Sequence, residues 1–227
     1  MQYFILCRNF IVLCFTLALI SCKQEKKSAV VASKQTSTTT VTHAKGFTVE
    51  NSENGVTIIE VNSPWPNAET SFKYALVPKT KMAHITLNKD EYDAIIAVPI
   101  NNIVVTSTTH IPVLEALGVE NKLVGFPDTK YVSSEKTRKR IDTGKVIDLG
   151  KNNALNTELA IELQPDLIIG FSINSQNKAY SILERANIPV VYNGDWTEET
   201  PLGKAEWIKF FAPFFGKEIR ANQVFKE

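Results

Sequence analysis

Side chains able to do chemistry fall in five short groups along the second half of the chain. They are Ser107, Thr108, Thr109 and His110; Phe126, Asp128 and Tyr131; Asn152 and Asn153; Phe171, Ser172 and Asn174; and Asp195 with Trp196. Ser107, His110 and Asp128 are the residue types of a hydrolase triad. However, no Gly-x-Ser-x-Gly elbow surrounds the serine and no Walker-type glycine loop is present, so catalysis is not expected. Direct metal capture is poorly supplied as well. The histidines are three, at 43, 84 and 110, and without a cysteine beyond position 22 no closed nitrogen–sulfur site can be assembled. Hydroxyls, amides and aromatics in this mixture suit non-covalent capture of a large organic ligand. Ser107–Thr109 precede a predicted helix start, where backbone N–H groups and the dipole favour anionic ligand groups. A different signal is Glu158 and Glu162, four apart on one helix face. Like charges at that spacing cost roughly a few tenths of a kcal/mol, part of which the helix dipole returns to Glu158. Such a pair is a solvated acidic face or a handle for a basic partner.

Each group follows a run that reads as a strand. Asn156 to Phe171 shows the pattern best: Asn156 caps a short helix, Leu159, Ala160 and Leu163 share a face, and Pro165 stops it. Pro165 also biases Gln164 toward extended backbone. Leu167-Ile168-Ile169 is then apolar on both faces, as in a strand covered by helices on both sides. Further strands are expected at Ala94–Val98, Ile103–Val105, Leu123–Gly125, Val146–Leu149 and Ile188–Tyr192. Helices are expected from Pro112 to Gly118, from Ser133 or Ser134 through Arg140, and from Ser175 to Asn187. Strands alternating with helices predict an α/β fold with a mainly parallel, helix-covered sheet, and ligands of such sheets bind at the carboxyl ends of the strands. Residues 46–89 read instead as a small β segment, with strands at Thr57–Val61 and Phe72–Val77 and a hairpin turn at Asn54-Gly55. The expected divisions are a β-rich segment at 46–89, an α/β lobe at 90–203 and a helical end at 204–227, interrupted near Gly216.

The formal charge is +1, which offers nothing to attract nucleic acid. Residues 1–22 read as a targeting segment: Arg8 supplies the positive charge, and Phe10–Ile20 is an apolar core too short to span a bilayer. It closes on Leu19-Ile20-Ser21-Cys22, which resembles the lipobox of bacterial lipoproteins and implies acylation of Cys22 and a membrane anchor. Residues 23–45 are rich in Lys, Ser, Thr and Gln without apolar period, and read as a disordered tether reaching about 26 Å.

Taken in order, several motifs are similar to those of one family. They are Asn102-Ile103-Val104-Val105-Thr106-Ser107, Leu114-Glu115-Ala116-Leu117-Gly118-Val119, Asp148-Leu149-Gly150, Asn156-Thr157-Glu158, Gln164-Pro165-Asp166-Leu167-Ile168-Ile169-Gly170 and Gly194-Asp195-Trp196, followed by Pro201–Ile208. Together they resemble the substrate-binding lipoproteins of bacterial iron-siderophore and cobalamin ABC importers, the class III periplasmic binding proteins, across Asp90–Glu227. The resemblance implies two α/β lobes joined by one long helix, with ligand held between them. The present chain would then be the first lobe and the start of that helix, a truncated form. It further implies a binder without catalysis or cofactor, held at the periplasmic side of the cell envelope. Its ligand would be an iron chelate, heme or cobalamin, and its partners an ABC permease and ATPase. In this family a glutamate eight residues ahead of the Pro-Asp aspartate docks on the permease; Glu158 stands eight before Asp166 and matches, whereas Glu162 does not. The alternatives are an envelope interaction lipoprotein with no transported ligand, or a direct metal-ion binder.

Overall fold

The structure, a computed structural model, describes residues 39–174 and 176–227. Its first sheet has the order β1 (Phe47–Asn51), β2 (Thr57–Val61), β3 (Phe72–Pro78) and β4 (Ala94–Val98). The Asn54-Gly55 turn joins β1 to β2 as an antiparallel hairpin with Val49 opposite Ile59. β3 runs antiparallel to β2, but β4 runs parallel to β3. Ala94–Val98, expected to open the α/β lobe, therefore completes the β-rich sheet instead. The physical reason is burial on both faces of β3. Tyr74 and Leu76 enter the main core, whereas Ala75 and Val77 pack with Val56, Ile85, Leu87 and Tyr92. A parallel partner needs a long crossover, and residues 79–93 form it while covering that second face.

The second sheet is wholly parallel, with β5 (Ile103–Val105) at its centre. β6 (Leu123–Phe126) and β7 (Ile147–Asp148) lie on one side, and β10 (Leu167–Gly170) and β11 (Val190–Tyr192) on the other. A small hairpin of β8 (Gly150–Lys151) and β9 (Ala154–Leu155) follows β7. Helices α1 (His110–Ala116), α2 (Glu135–Asp142), α3 (Thr157–Glu162) and α4 (Lys178–Arg185) lie in the connections. Alternate strand residues enter different cores, as the two-residue period requires. Ile103, Val105, Leu167 and Ile169 pack with Leu114 of α1 and with the C-terminal helices, while Val104 and Ile168 pack with Ala160 of α3 and Leu183 of α4. The sheet is thus covered on both faces, and the expected α/β class is the observed one.

Asn156 caps α3 as expected, its side chain accepting the N–H of Leu159 at 3.1 Å. Gln164 departs from expectation: its φ is 46°, left-handed rather than extended. The helix needs a left-handed residue to end on, and the N–H of Gln164 donates to the carbonyl of Ile161 at 3.0 Å. Asp166 then ties β10 to β5, accepting the N–H groups of Asn101 and Asn102. Helix α4 is capped by Asn177, two residues later than expected; Ser175 lies outside the described residues. The C-terminal region consists of α5 (Pro201–Glu206), α6 (Ile208–Phe215) and α7 (Glu218–Lys226), with the expected break at Gly216. All eight residues of α6 are buried.

One expected boundary shifts. Thr39–Lys45, assigned from composition to the disordered tether, lie against α5 and α6, where the carboxylate of Glu206 accepts the N–H groups of Thr42, His43 and Ala44. The composition argument concerns apolar burial and is blind to backbone donors. Cys22 and the remainder of the tether lie outside the described residues.

Candidate functional site

The carboxyl ends of β5, β10 and β11 meet around Thr106, which directly follows β5. Its hydroxyl is one corner of a closed ring of hydrogen bonds. The N–H of Phe171 donates to Thr106 Oγ1 at 2.9 Å, Thr106 donates to the Tyr180 hydroxyl at 3.0 Å, and Tyr180 donates to the carbonyl of Phe171 at 2.9 Å. Burial pushes the Tyr180 hydroxyl up to about 12 against the opposing pull of Thr106, so it stays a donor. Gly170 makes the ring possible, because a Cβ there would stand 2.7 Å from the Tyr180 ring. The carbonyl of Thr106 accepts the side-chain amide of Asn152 at 2.7 Å, and the N–H of Asn152 donates to Asp128 Oδ2 at 3.0 Å. Thr106 and Tyr180 were not among the sequence candidates. The first reads as the end of a strand and the second as a helix core residue, and only their hydroxyl contact reveals the pairing.

Above this floor lies an open cavity of about 460 Å³, lined by Asn152, Asn153, Phe171, Ser172, Ile173, Asn174, Gln176, Asn177, Lys178 and Ala179. Five of these are sequence candidates. Ile173, 67% exposed on the rim, and Gln176, Asn177, Lys178 and Ala179 are new. Beside the cavity, Phe171 meets Trp196 edge-on with ring centroids 5.5 Å apart. The hydroxyl group forms a chain of its own: Ser107 Oγ lies 2.9 Å from Thr109 Oγ1, which donates to Asp195 Oδ2 at 2.8 Å. Thr108 is exposed next to them. Tyr131 stands apart, 64% exposed and capped by the Lys130 ammonium 4.9 Å from its ring centre.

Two candidates are withdrawn from any ligand. Phe126 is buried in the main core, because the last position of β6 faces the sheet's interior side. His110 is fully buried, its ring 5.2 Å from that of Phe211. The first turn of α1 directs it inward, whereas the three hydroxyl residues before it remain at the edge. Among the described residues neither His110 ring nitrogen has a partner in good hydrogen-bond geometry. Burial holds its imidazole below the usual value, against the opposing pull of Asp195 and Asn193. Ser107, His110 and Asp128 make no mutual hydrogen bond: Ser107 pairs with Thr109, and Asp128 with Asn152. Among the described residues no three His, Cys, Asp or Glu side chains group as metal ligands. The arrangement offers amides, hydroxyls and aromatic edges, which can hold a ligand by hydrogen bonds and stacking.

Glu158 and Glu162 are both exposed. Because α3 runs back against β10, its first turn, with Glu158, lies on the side of the strand carboxyl ends.

A family model described as "Periplasmic binding protein" matches residues 103–227. An uncharacterized lipoprotein of Methanocaldococcus jannaschii is 28% identical over 141 residues, 59% of this chain and 34% of the relative. A second lipoprotein of that organism is 32% identical over 127 residues, 54% of this chain and 32% of the relative. The chain thus spans about a third of the length of these curated relatives. Among solved structures, the periplasmic heme-binding protein HutB of Vibrio cholerae is 20% identical with a TM-score of 0.44, covering 56% of this chain and 46% of its own. Staphylococcus aureus SirA, complexed with staphyloferrin B, is 26% identical with a TM-score of 0.44, covering 58% of this chain and 42% of its own. The family match extends over more than half of the 227 residues, and the chain therefore belongs to the periplasmic binding protein family.

Proposed function

We propose that this chain supplies one wall of the ligand cleft of an ABC importer's solute-binding protein. It is tethered to the membrane through Cys22 and captures a large chelate: a ferric siderophore, heme or cobalamin. The observation that carries this reading is the convergence of neutral donors and aromatics at the strand carboxyl ends: Asn152, Asn153, Phe171, Ser172 and Asn174 around one cavity, with Trp196 against Phe171. Family membership supports solute binding, and the two relatives named as lipoproteins support an envelope location. Glu158 is the residue that would dock on the permease, since a carboxylate at an exposed helix start can pair bidentately with arginine.

One wall captures only part of a ligand's contact surface, and every tenfold in affinity is about 1.4 kcal/mol. The lobe alone should therefore bind weakly. Amide-resolved NMR titration with a ferric hydroxamate siderophore, hemin and cyanocobalamin tests this. Saturable shifts confined to Ser107–Thr109, Asn152–Asn153, Phe171–Asn174 and Asp195–Trp196 are expected for one of the three. No shift with any of them at millimolar excess would overturn the proposal and favour an envelope interaction role.

A further inference from the structure

Glu206 is a charged residue at 0% exposure, at the end of α5 and against the apolar α6. Its oxygens accept the N–H groups of Thr42 at 3.0 Å, of Ala44 at 2.8 Å and of His43, together with the Thr42 hydroxyl at 3.1 Å. Lys209, one turn on, donates to Glu206 Oε1 at 2.7 Å and to the carbonyl of Thr40, also at 2.7 Å. Burial pushes the Glu206 carboxyl up, but Lys209 and the amides of Ala44, His43 and Thr42 outweigh it and hold the group at about 2. Glu198, 7% exposed, continues the pattern: its Oε1 accepts the N–H of Lys45 at 2.9 Å, of Gly46 at 2.8 Å and the Trp207 indole N–H at 3.1 Å. Five successive main-chain donors thus end on two buried carboxylates. A run of N–H groups aimed one way is an anion-binding concavity, and here the anions come from the protein itself. The Thr42 hydroxyl joins these donors and Val41 and Ala44 pack against the main core, but five of the six donors that tie 42–46 to the two carboxylates are backbone N–H groups.

Glu198 also closes the loop that carries Asp195 and Trp196. That loop leaves β11, donates from Thr197 Oγ1 to the carbonyl of Gly194 at 2.8 Å, and ends on Glu198. The loop is therefore held by β11 at one end and by the segment's amides at the other.

We infer that Thr39–Gly46 is a strap, and that Glu198 and Glu206 are positioning residues which use it to hold the Asp195–Trp196 loop at the cleft and to fix where the upstream chain leaves the lobe. The role at the cleft rests on the function proposed above, but the test needs no ligand. The chain labelled with 5-fluorotryptophan reports on its three tryptophans: Trp207 on the clamp, Trp196 on the cleft loop, and Trp65 on the core where it borders the strap, sharing a cavity with His43, Lys45 and Gly46. Ala44→Pro removes one donor to Glu206 and leaves both glutamates in place; Glu206→Gln removes the charge. In both variants the Trp207 and Trp196 resonances should shift or broaden, with iodide access to Trp196 rising about twofold or more, while amide exchange in the buried strands Ile103–Val105 and Leu167–Gly170 is unchanged. A Trp196 resonance identical to wild type in both variants would overturn the positioning role. Collapse of all three resonances in both would do so too, because the segment would then belong to the folding core. In the wild type, amides 42–46 should exchange at least about 100-fold more slowly than an unstructured chain. Random-coil exchange there would overturn the strap itself, whereas a failed ligand titration would leave it standing.

Discussion

Glu158 and Glu162 show how little residue type decides alone. Both are exposed carboxylates of one short helix, yet only Glu158 sits in the first turn, beside the strand ends. On the proposed reading, a charge there would set docking register and association rate more than affinity. In a two-lobed binding protein built to carry this lobe, Glu158→Arg should leave ligand affinity and folding intact and lower transport about tenfold or more. Glu162→Arg should do far less, and equal uptake by wild type and Glu158→Arg at matched expression would identify a merely solvated face. Phe126 and His110 teach the converse. Sequence placed them at a strand end and a helix start, where ligand is met, but one residue of strand alternation or a third of a helical turn separates cleft from core. Nothing in a single sequence resolves that step.

At the scale of elements, α3 ends on Gln164 in the left-handed region at φ 46°, and α6 ends on Gly216 at φ 64°. The same backbone requirement is met once by a strained side chain and once by glycine. Gln164→Gly should therefore stabilise the protein by about 0.5–1 kcal/mol, and Gly216→Ala should destabilise it by about 1 kcal/mol, read from urea midpoints at constant slope. A neutral or destabilising Gln164→Gly would mean that its side chain makes contacts worth more than the strain. The strands were legible at this scale because their apolar runs are short and bounded. Their sheet membership was not: Ala94–Val98 looks like Ile103–Val105 in composition, yet one joins β3 and the other β10 and β6.

For the whole molecule, the acid limb of stability should carry the mark of His110. Its ring is buried against Phe211, so the folded state holds it neutral with its pKa below the usual value. The unfolded chain takes up the proton first, near the ordinary pKa of about 6.5. Stability is then complete above about pH 6.5 and falls as pH drops below it, by up to about 1.4 kcal/mol per pH unit until the folded group also titrates. The charge of Asp195 favours the protonated ring and narrows that window. Replacing His110 by Phe should flatten the fall in urea midpoint between about pH 6.5 and 5 relative to wild type. Parallel curves for the two proteins would assign the acid limb to other groups.

The sequence by itself determined what depends on neighbours along the chain. The approximate positions of strands and helices, the Asn156 cap, a helix start at Ser133 or Ser134, the Asn54-Gly55 turn and the break at Gly216 all follow from side-chain period and backbone preference, which act over a few residues. It also marked the strand ends as the place for a site, since a parallel sheet collects all of them on one edge. Tertiary structure decided the rest, through contacts between residues far apart in number. The Thr106–Tyr180 hydroxyl pair spans 74 positions, the Asp128–Asn152 contact 24, and the amide of Thr42 meets Glu206 across 164. Such contacts depend on geometry that no local composition encodes, which is why Thr42–Lys45, the end of a stretch that reads as disordered, lie clamped on two buried carboxylates.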